Sequence, residues 1–143
     1  MTLFRPPRST GPPPPAAATR SDRPWGCFEQ FVHNEAVTVK IITVDPFHRL
    51  SLQRHAQRDE LWQIIDGPAD IEVGGQVSSG DAGDRAWIPR GSTHRLGNSG
   101  PATVRILEIA FGHFDEDDIE RLADDYDRVG DTKQVTGASG DAG

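Results

Sequence analysis

The stretch from Gly83 to Asn98 places a histidine where it can bind a metal ion. It has the spacing Gly-x5-Pro-x-Gly-x2-His-x3-Asn, in which the histidine is His94. We expect Pro89 and Gly91 to form a tight corner between two strands, because proline presets a turn and glycine tolerates one. The strand that follows would direct His94 into the interior, where a neutral imidazole can ligate a divalent ion.

A second group of potential ligands begins at Gln53. Gln53 and His55 are two residues apart, so on a strand both side chains point to the same face. Glu60 follows after a turn and would add one negative charge. Two imidazoles, one amide oxygen and one carboxylate suit Zn²⁺, Mn²⁺, Fe²⁺, Co²⁺ or Ni²⁺. We therefore predict one divalent metal ion held by Gln53, His55, Glu60 and His94. The other histidines sit in no such pattern and are given no role: His33, His48 and His113.

Both stretches resemble the two sequence motifs of the cupins. The first cupin motif normally has a histidine where this chain has Gln53, and Gly67 closes that motif at its usual distance from Glu60. The resemblance implies an all-β fold, a single jelly-roll antiparallel β-barrel with its ligands pointing inwards. Because one fold can host many chemistries, a small-molecule oxygenase and a non-catalytic sugar-binding cupin remain alternatives.

The composition limits the cofactors and partners. A chain of 143 residues fits one domain, and Cys27, its single cysteine, excludes an internal disulfide and a cysteine-based zinc cluster. The net charge of −7 argues against a nucleic-acid partner. All basic residues except Lys40 and Lys133 are arginines, which suit phosphate or carboxylate groups, so an anionic small molecule is expected. We find no membrane span and no secretory signal, and expect a cytoplasmic protein.

The pattern of apolar runs and turn residues predicts one folded unit at residues 22–128. It leaves a disordered proline-rich arm at 1–21 and a disordered tail at 129–143. Short β-branched and aromatic runs separated by turn residues are typical of a barrel or sandwich. A short C-terminal helix is also predicted, because Asp115 can cap it and Ile119, Leu122 and Tyr126 would share a face. The predicted strands are 28–32, 37–44, 50–53, 61–65, 69–73, 76–78, 85–88, 94–96 and 103–110.

Four stretches narrow the resemblance to one family. They resemble the cupin-type phosphomannose isomerase domain that occurs alone or fused behind a mannose-1-phosphate guanylyltransferase. Gln53 in place of the first motif histidine is itself typical of this group. The stretches are Arg23-Pro24-Trp25-Gly26, then Leu50 to Trp62, then Ile88 to Asn98, and finally Glu116 to Arg128.

This resemblance implies interconversion of mannose 6-phosphate and fructose 6-phosphate, with a phosphorylated sugar as the partner. The metal would stabilise charge on an enediolate, and a carboxylate would move the proton; Glu60 and Glu108 are both candidates. No glycine-rich nucleotide loop is present, so nucleotide transfer is not expected. Cupins commonly pair through sheet edges, and we expect a homodimer. The residues expected to bind substrate are Arg23, Trp25, Arg58, Arg95 and Arg121, with Trp62 as a further aromatic candidate.

Overall fold

The computed structural model describes residues 18–129, which form eleven β-strands. Hydrophobic and polar positions alternate along the longer strands, and turn residues separate one strand from the next. The strands are β1 (Thr19–Arg23), β2 (Gly26–Gln30), β3 (Val37–Val44), β4 (Leu52–Arg54), β5 (Arg58–Asp66), β6 (Ala69–Val73), β7 (Gln76–Gly80), β8 (Arg85–Ile88), β9 (His94–Gly97), β10 (Val104–Gly112) and β11 (Glu120–Ala123).

Two antiparallel sheets form the body of the fold. One has the order β3-β10-β5-β8 and the other β11-β4-β9-β6-β7, while β1 and β2 pair with each other as a separate hairpin. The predicted all-β architecture is confirmed, and each of the nine predicted strands overlaps an observed one.

The interior between the sheets is apolar at one end and polar at the other. Ile64, Ile71 and Ile106 are almost completely buried in the apolar cluster. Further along β5 and β10, on the same inward-facing positions, the buried side chains are Glu60 and Glu108. The strand alternation therefore builds a hydrophobic core and a polar chamber inside one barrel.

Replacing Ile106 with alanine tests the apolar end. Its side chain is 0% exposed, so we expect the free energy of unfolding to fall by about 2–5 kcal/mol in a urea titration. The matched control is Val77→Ala, because Val77 is 72% exposed on an edge strand and should change stability by less than about 0.5 kcal/mol. Equal losses in the two variants would contradict this assignment of the core.

The predicted C-terminal helix is wrong. Asp115 caps a turn instead: its carboxylate accepts from the backbone nitrogen of Asp117, and its carbonyl accepts from that of Asp118. The chain then continues as β11, which pairs with β4. Pairing with an existing sheet edge satisfies the backbone of this segment and buries Ile119 and Arg121.

The ends of the chain are only partly described. Residues 19–21 belong to β1, so the disordered arm predicted for 1–21 is wrong over those positions; its first 17 residues lie outside the described part of the chain. The predicted tail lies outside it too, apart from residue 129. Over residues 18–129 no helix has the length and apolar character that a membrane crossing requires.

Candidate metal centre

Three of the predicted ligands meet in the polar chamber. One ligand atom from each of His55, Glu60 and His94 lies within 4.8 Å of the others, and all three residues are buried. Nε2 of His55 is 3.6 Å from Oε2 of Glu60, and Nε2 of His94 is 3.8 Å from Oε1. These separations allow a single ion to contact all three groups.

Strand register brings the fourth predicted ligand alongside them. Gln53 in β4 is directly opposite His94 in β9, so both side chains lie on the same inner face. Gln53 is 2% exposed, and its Oε1 accepts a hydrogen bond from the hydroxyl of Ser51. The two sequence motifs are also joined directly, since the backbone nitrogen of Gly91 donates to the carbonyl of His55.

The orientation of both imidazoles suits metal binding. Nδ1 of His55 lies 2.6 Å from the carbonyl of Asp118, and Nδ1 of His94 lies 3.1 Å from that of Ser92. A carbonyl only accepts hydrogen bonds, so Nδ1 carries a proton in both rings, and Nε2 is the nitrogen that faces Glu60 and that an ion would use. Burial lowers the pKa of His55 to about 4, which keeps this ring neutral near pH 7.

Glu60 is held as an anion. Burial alone would raise its pKa, but the hydrogen bond with Glu108 and the nearby His94, His55 and Arg58 outweigh burial and lower it. Arg58 donates from Nε to Oε2 at 3.0 Å, and the indole of Trp62 donates to Oε1 at 3.2 Å. Two imidazole nitrogens and one fixed carboxylate therefore fit a divalent ion of the zinc or manganese type.

Arg58 links the carboxylate to one of the imidazoles. Its Nη2 lies 3.1 Å from Nε2 of His55, and Arg58 is 2% exposed. The guanidinium thus contacts two of the groups that would hold the ion. An ion bound at Nε2 of His55 has to displace this hydrogen bond, so metal and Arg58 compete for that lone pair.

The substitution Arg58→Met tests this competition. Without metal, loss of the buried partner leaves Glu60 uncompensated, and we expect the free energy of unfolding to fall by about 3–5 kcal/mol. Added Zn²⁺ or Mn²⁺ should recover a larger part of stability in the variant than it adds to the wild type. Thermal unfolding with chelator and with metal measures both effects. Arg105→Met is the control, since its ion pair with Asp66 is exposed and worth at most about 1 kcal/mol; a loss in Arg58→Met that metal does not reduce would contradict the account.

Glu108 lies beside Glu60 but has a different environment. Burial, the charge of Glu60 and the hydrogen bond with Glu60 raise the pKa of Glu108 well above the ordinary value of a glutamate. Among the described residues, no nitrogen or hydroxyl group donates to either of its carboxylate oxygens. Burial and the negative charge of Glu60 therefore favour the protonated form of Glu108 in the metal-free protein.

Only some of the residues expected to bind substrate lie at the polar chamber. Arg121 is buried and pairs with Gln53 across β11 and β4, so it lies on the inner face beside the predicted ligands. Arg95 points to the outer face of β9, where it donates to the carbonyls of Leu50 and Ala123. Arg23 ends β1 and Trp25 lies in the turn of the β1–β2 hairpin, where the guanidinium of Arg23 stacks on Phe28. The structure thus brings Arg58 and Arg121 to the chamber, but not Arg95, Arg23 or Trp25.

Sequence reasoning missed the segment that closes the chamber. The carboxylate of Asp118 accepts from the backbone nitrogens of Ala56 and Gln57, which fixes the loop between His55 and Glu60. The ring of Phe114 lies 4.3 Å from both the Lys40 ammonium and the Arg58 guanidinium. Asp118 falls in a family-like stretch, but nothing in its spacing connects it with a loop more than 60 residues earlier in the chain.

Comparison with known proteins assigns this chain to a family. A family profile described as "Mannose-6-phosphate isomerase C-terminal" matches residues 16–124. Mannose-1-phosphate guanylyltransferase ManC of Salmonella typhimurium is 37% identical over 108 residues, which are 75% of this chain and 22% of ManC. Alginate biosynthesis protein AlgA of Pseudomonas aeruginosa is 39% identical over 108 residues, again 75% of this chain and 22% of AlgA. The chain spans about a fifth of the length of these relatives.

Solved structures agree on the fold. A cupin-superfamily sugar phosphate isomerase from Silicibacter pomeroyi has a TM-score of 0.50 and 21% identity, covering 54% of this chain and 51% of that one. A Cupin 2 conserved barrel domain protein from Salinispora arenicola has a TM-score of 0.50 and 21% identity, covering 66% and 73%. The barrel is thus a cupin, and the chain belongs to the mannose-6-phosphate isomerase C-terminal family.

Proposed function

We propose that this chain is a metal-dependent isomerase that interconverts mannose 6-phosphate and fructose 6-phosphate. The observation that carries the proposal is the buried cluster of His55, Glu60 and His94, with Gln53 beside it, in a chain of this family. A buried set of two imidazoles and one carboxylate stabilises a fold less well than an apolar core would, so its presence supports a role in chemistry.

A divalent ion at this cluster would supply Lewis-acid stabilisation of the negative charge that develops on the substrate oxygens. Zn²⁺, Mn²⁺, Fe²⁺, Co²⁺ and Ni²⁺ all suit the donor set. Gln53, His55, Glu60 and His94 would hold the ion, and Arg58 would remain as the second positive charge next to Glu60.

The proton transfer is assigned to Glu108. Isomerisation removes a proton from the carbon beside the carbonyl and returns it to the neighbouring carbon, so the carrier must both gain and lose a proton. Glu60 is unsuited, because Arg58 and Trp62 hold it as an anion and it serves as a ligand. Glu108 has a raised pKa in the same chamber, which is what a proton carrier operating near neutral pH needs.

A coupled assay tests the activity. Metal-loaded protein should form fructose 6-phosphate from mannose 6-phosphate, chelator should remove the activity, and added metal should restore it. Metal-loaded, folded protein with no turnover of mannose 6-phosphate would reject the proposed function. Elemental analysis of the same sample identifies the ion.

Two expectations about the protein's setting belong to the same proposal. Sugar phosphates are cytoplasmic metabolites, which supports a cytoplasmic location. Exposed Val39 and Ile41 on the edge strand β3 support a homodimer formed through that edge. Sedimentation that shows a single monomeric species at micromolar concentration would reject the homodimer.

A further inference from the structure

The segment that leads into β11 is fastened to the part of the chain that carries two of the proposed ligands. β11 pairs with β4, which places Arg121 opposite Gln53. Two residues before β11 begins, Asp118 contacts His55 and the loop after it. The contacts between these two parts of the chain therefore extend from Gln53 past His55.

Asp118 makes two kinds of contact with the His55 region. Its main-chain carbonyl accepts a hydrogen bond from Nδ1 of His55 at 2.6 Å. Its carboxylate accepts from the backbone nitrogens of Ala56 and Gln57, both at 2.9 Å. Hydrogen bonds from N–H groups to a carboxylate are stronger than those between neutral groups, so they fix the main chain of Asp118 against this loop. The carboxylate contacts therefore hold the carbonyl where it meets the imidazole.

The two histidines of the cluster differ in what holds them. Nδ1 of His94 lies 3.1 Å from the carbonyl of Ser92, only two residues earlier in the same corner. His55 instead donates to a carbonyl 63 residues later in the chain. The orientation of His94 is thus built into its own motif, whereas that of His55 requires the segment before β11 to be in place. A substitution at Asp118 should therefore affect one ring and spare the other.

We infer that Asp118 is a positioning residue, which holds the His55 ring with Nε2 directed towards Glu60 and so raises the affinity of the centre for a divalent ion. This inference rests on the metal centre of the proposed function but not on the reaction assigned to it. An imidazole that binds a metal ion through one nitrogen almost always donates from the other to a carbonyl, carboxylate or water, and this partner fixes the ring and its tautomer. Asp118 supplies that acceptor from outside both ligand motifs.

Competition between metal-free protein and a chelator for Zn²⁺ measures the expected effect. In Asp118→Ala both carboxylate contacts are lost, and we expect the dissociation constant for Zn²⁺ to rise about 10- to 100-fold, the usual result of removing the outer partner of a metal ligand. Asp118→Asn keeps an acceptor oxygen for one of the two backbone nitrogens, so its affinity should lie in between. The asparagine variant also serves if the alanine variant does not fold.

NMR spectra of metal-free protein with isotope-labelled histidine side chains distinguish the orientation of one ring from a general loss of order. In the wild type, the Nδ1–H proton of His55 should exchange slowly with solvent, because it is buried and hydrogen-bonded. In Asp118→Ala this proton should exchange faster, while the signals of His94 stay unchanged. Equal changes at both histidines would show that the variant disturbs the whole chamber and would overturn the inference.

The matched control is Glu116→Gln. Glu116 is an acidic residue of the same segment, but its carboxylate pairs with the Lys40 ammonium at 2.9 Å. The dissociation constant of this variant for Zn²⁺ should stay within about twofold of the wild type. An equal rise in Glu116→Gln, or an unchanged constant in Asp118→Ala, would overturn the inference and leave the proposed reaction intact. If Asp118→Ala loses Zn²⁺ affinity but the metal-loaded wild type does not turn over mannose 6-phosphate, the inference stands and the proposed reaction fails.

Discussion

Replacing His94 with alanine is expected to give a folded protein that has lost its metal and its activity. The ring of His94 would contribute one of the two imidazole ligands, and its Nε2 lies 3.8 Å from Oε1 of Glu60. Changes in residues that only support a ligand typically lower metal affinity about 10- to 100-fold, so loss of the ligand itself should exceed 100-fold. Turnover should fall at least about 1000-fold, because several kcal/mol of charge stabilisation depend on the ion.

Elemental analysis after gel filtration measures the metal, and the coupled assay measures turnover. His113→Ala is the control, since His113 is an exposed histidine outside the cluster. It should keep the metal content and activity of the wild type. A His94→Ala protein that still carries one ion per chain would show that the ion binds elsewhere.

Replacing Glu108 with glutamine is expected to separate catalysis from metal binding. The amide preserves the shape of the side chain but cannot carry the substrate proton. We expect kcat to fall about 100- to 10,000-fold, the usual contribution of a general acid or base. Metal content should stay within about twofold, because Glu60 keeps its contacts with Arg58 and Trp62. Glu72→Gln on the outer side of β6 is the control and should leave both quantities unchanged.

The pH dependence of stability tests the raised pKa of Glu108 independently, in metal-free protein. Burial and the charge of Glu60 raise the pKa of Glu108 in the folded state, so the folded protein binds this proton more tightly than the unfolded chain does. The resulting stabilisation is complete at pH values below the ordinary glutamate pKa and is lost as the pH rises through the raised pKa. Glu108→Gln should not show this loss. Identical stability profiles for wild type and variant would contradict the assignment, as would loss of the metal together with kcat.

The cupin barrel and the convergence of His55, Glu60 and His94 could be predicted because both rest on short-range patterns. Gln53 and His55 alternate along the chain, and Pro89 and Gly91 form the expected corner, where Gly91 adopts a φ of 82° and Ser92 donates back to the carbonyl of Pro89. Such patterns predict the local backbone conformation, and in a strand that conformation determines to which face each side chain points. The motif spacing was therefore enough to predict that these side chains lie together.

Long-range pairing explains the main error. The spacing of Ile119, Leu122 and Tyr126 fits one face of a helix, yet the segment completes a sheet by pairing with β4. Ile119 and Arg121 are both buried, an alternation of two that is typical of a strand. The sequence pattern does not show this alternation, because Arg121 is charged and is not expected at a buried position.

The same limitation applies to the arginines. Arg58 shares the inner face of β5 with Glu60 and Trp62, as alternation predicts, but its contact with His55 depends on how the loop after β4 folds back. Arg49 and Arg128 lie 79 residues apart in the sequence, yet both line one pocket between β3, β4 and the chain after β11. Their spacing in the sequence does not predict that they line the same pocket.

Anomalous X-ray diffraction from crystals grown with Zn²⁺ or Mn²⁺ tests the metal centre most directly. The account predicts one peak in the polar chamber, about 2.0–2.2 Å from Nε2 of His55, Nε2 of His94 and a carboxylate oxygen of Glu60. The amide oxygen of Gln53 should complete the set, with Arg58 withdrawn from His55. A peak at another site, or metal-saturated crystals in which Arg58 still bridges His55 and Glu60, would contradict it.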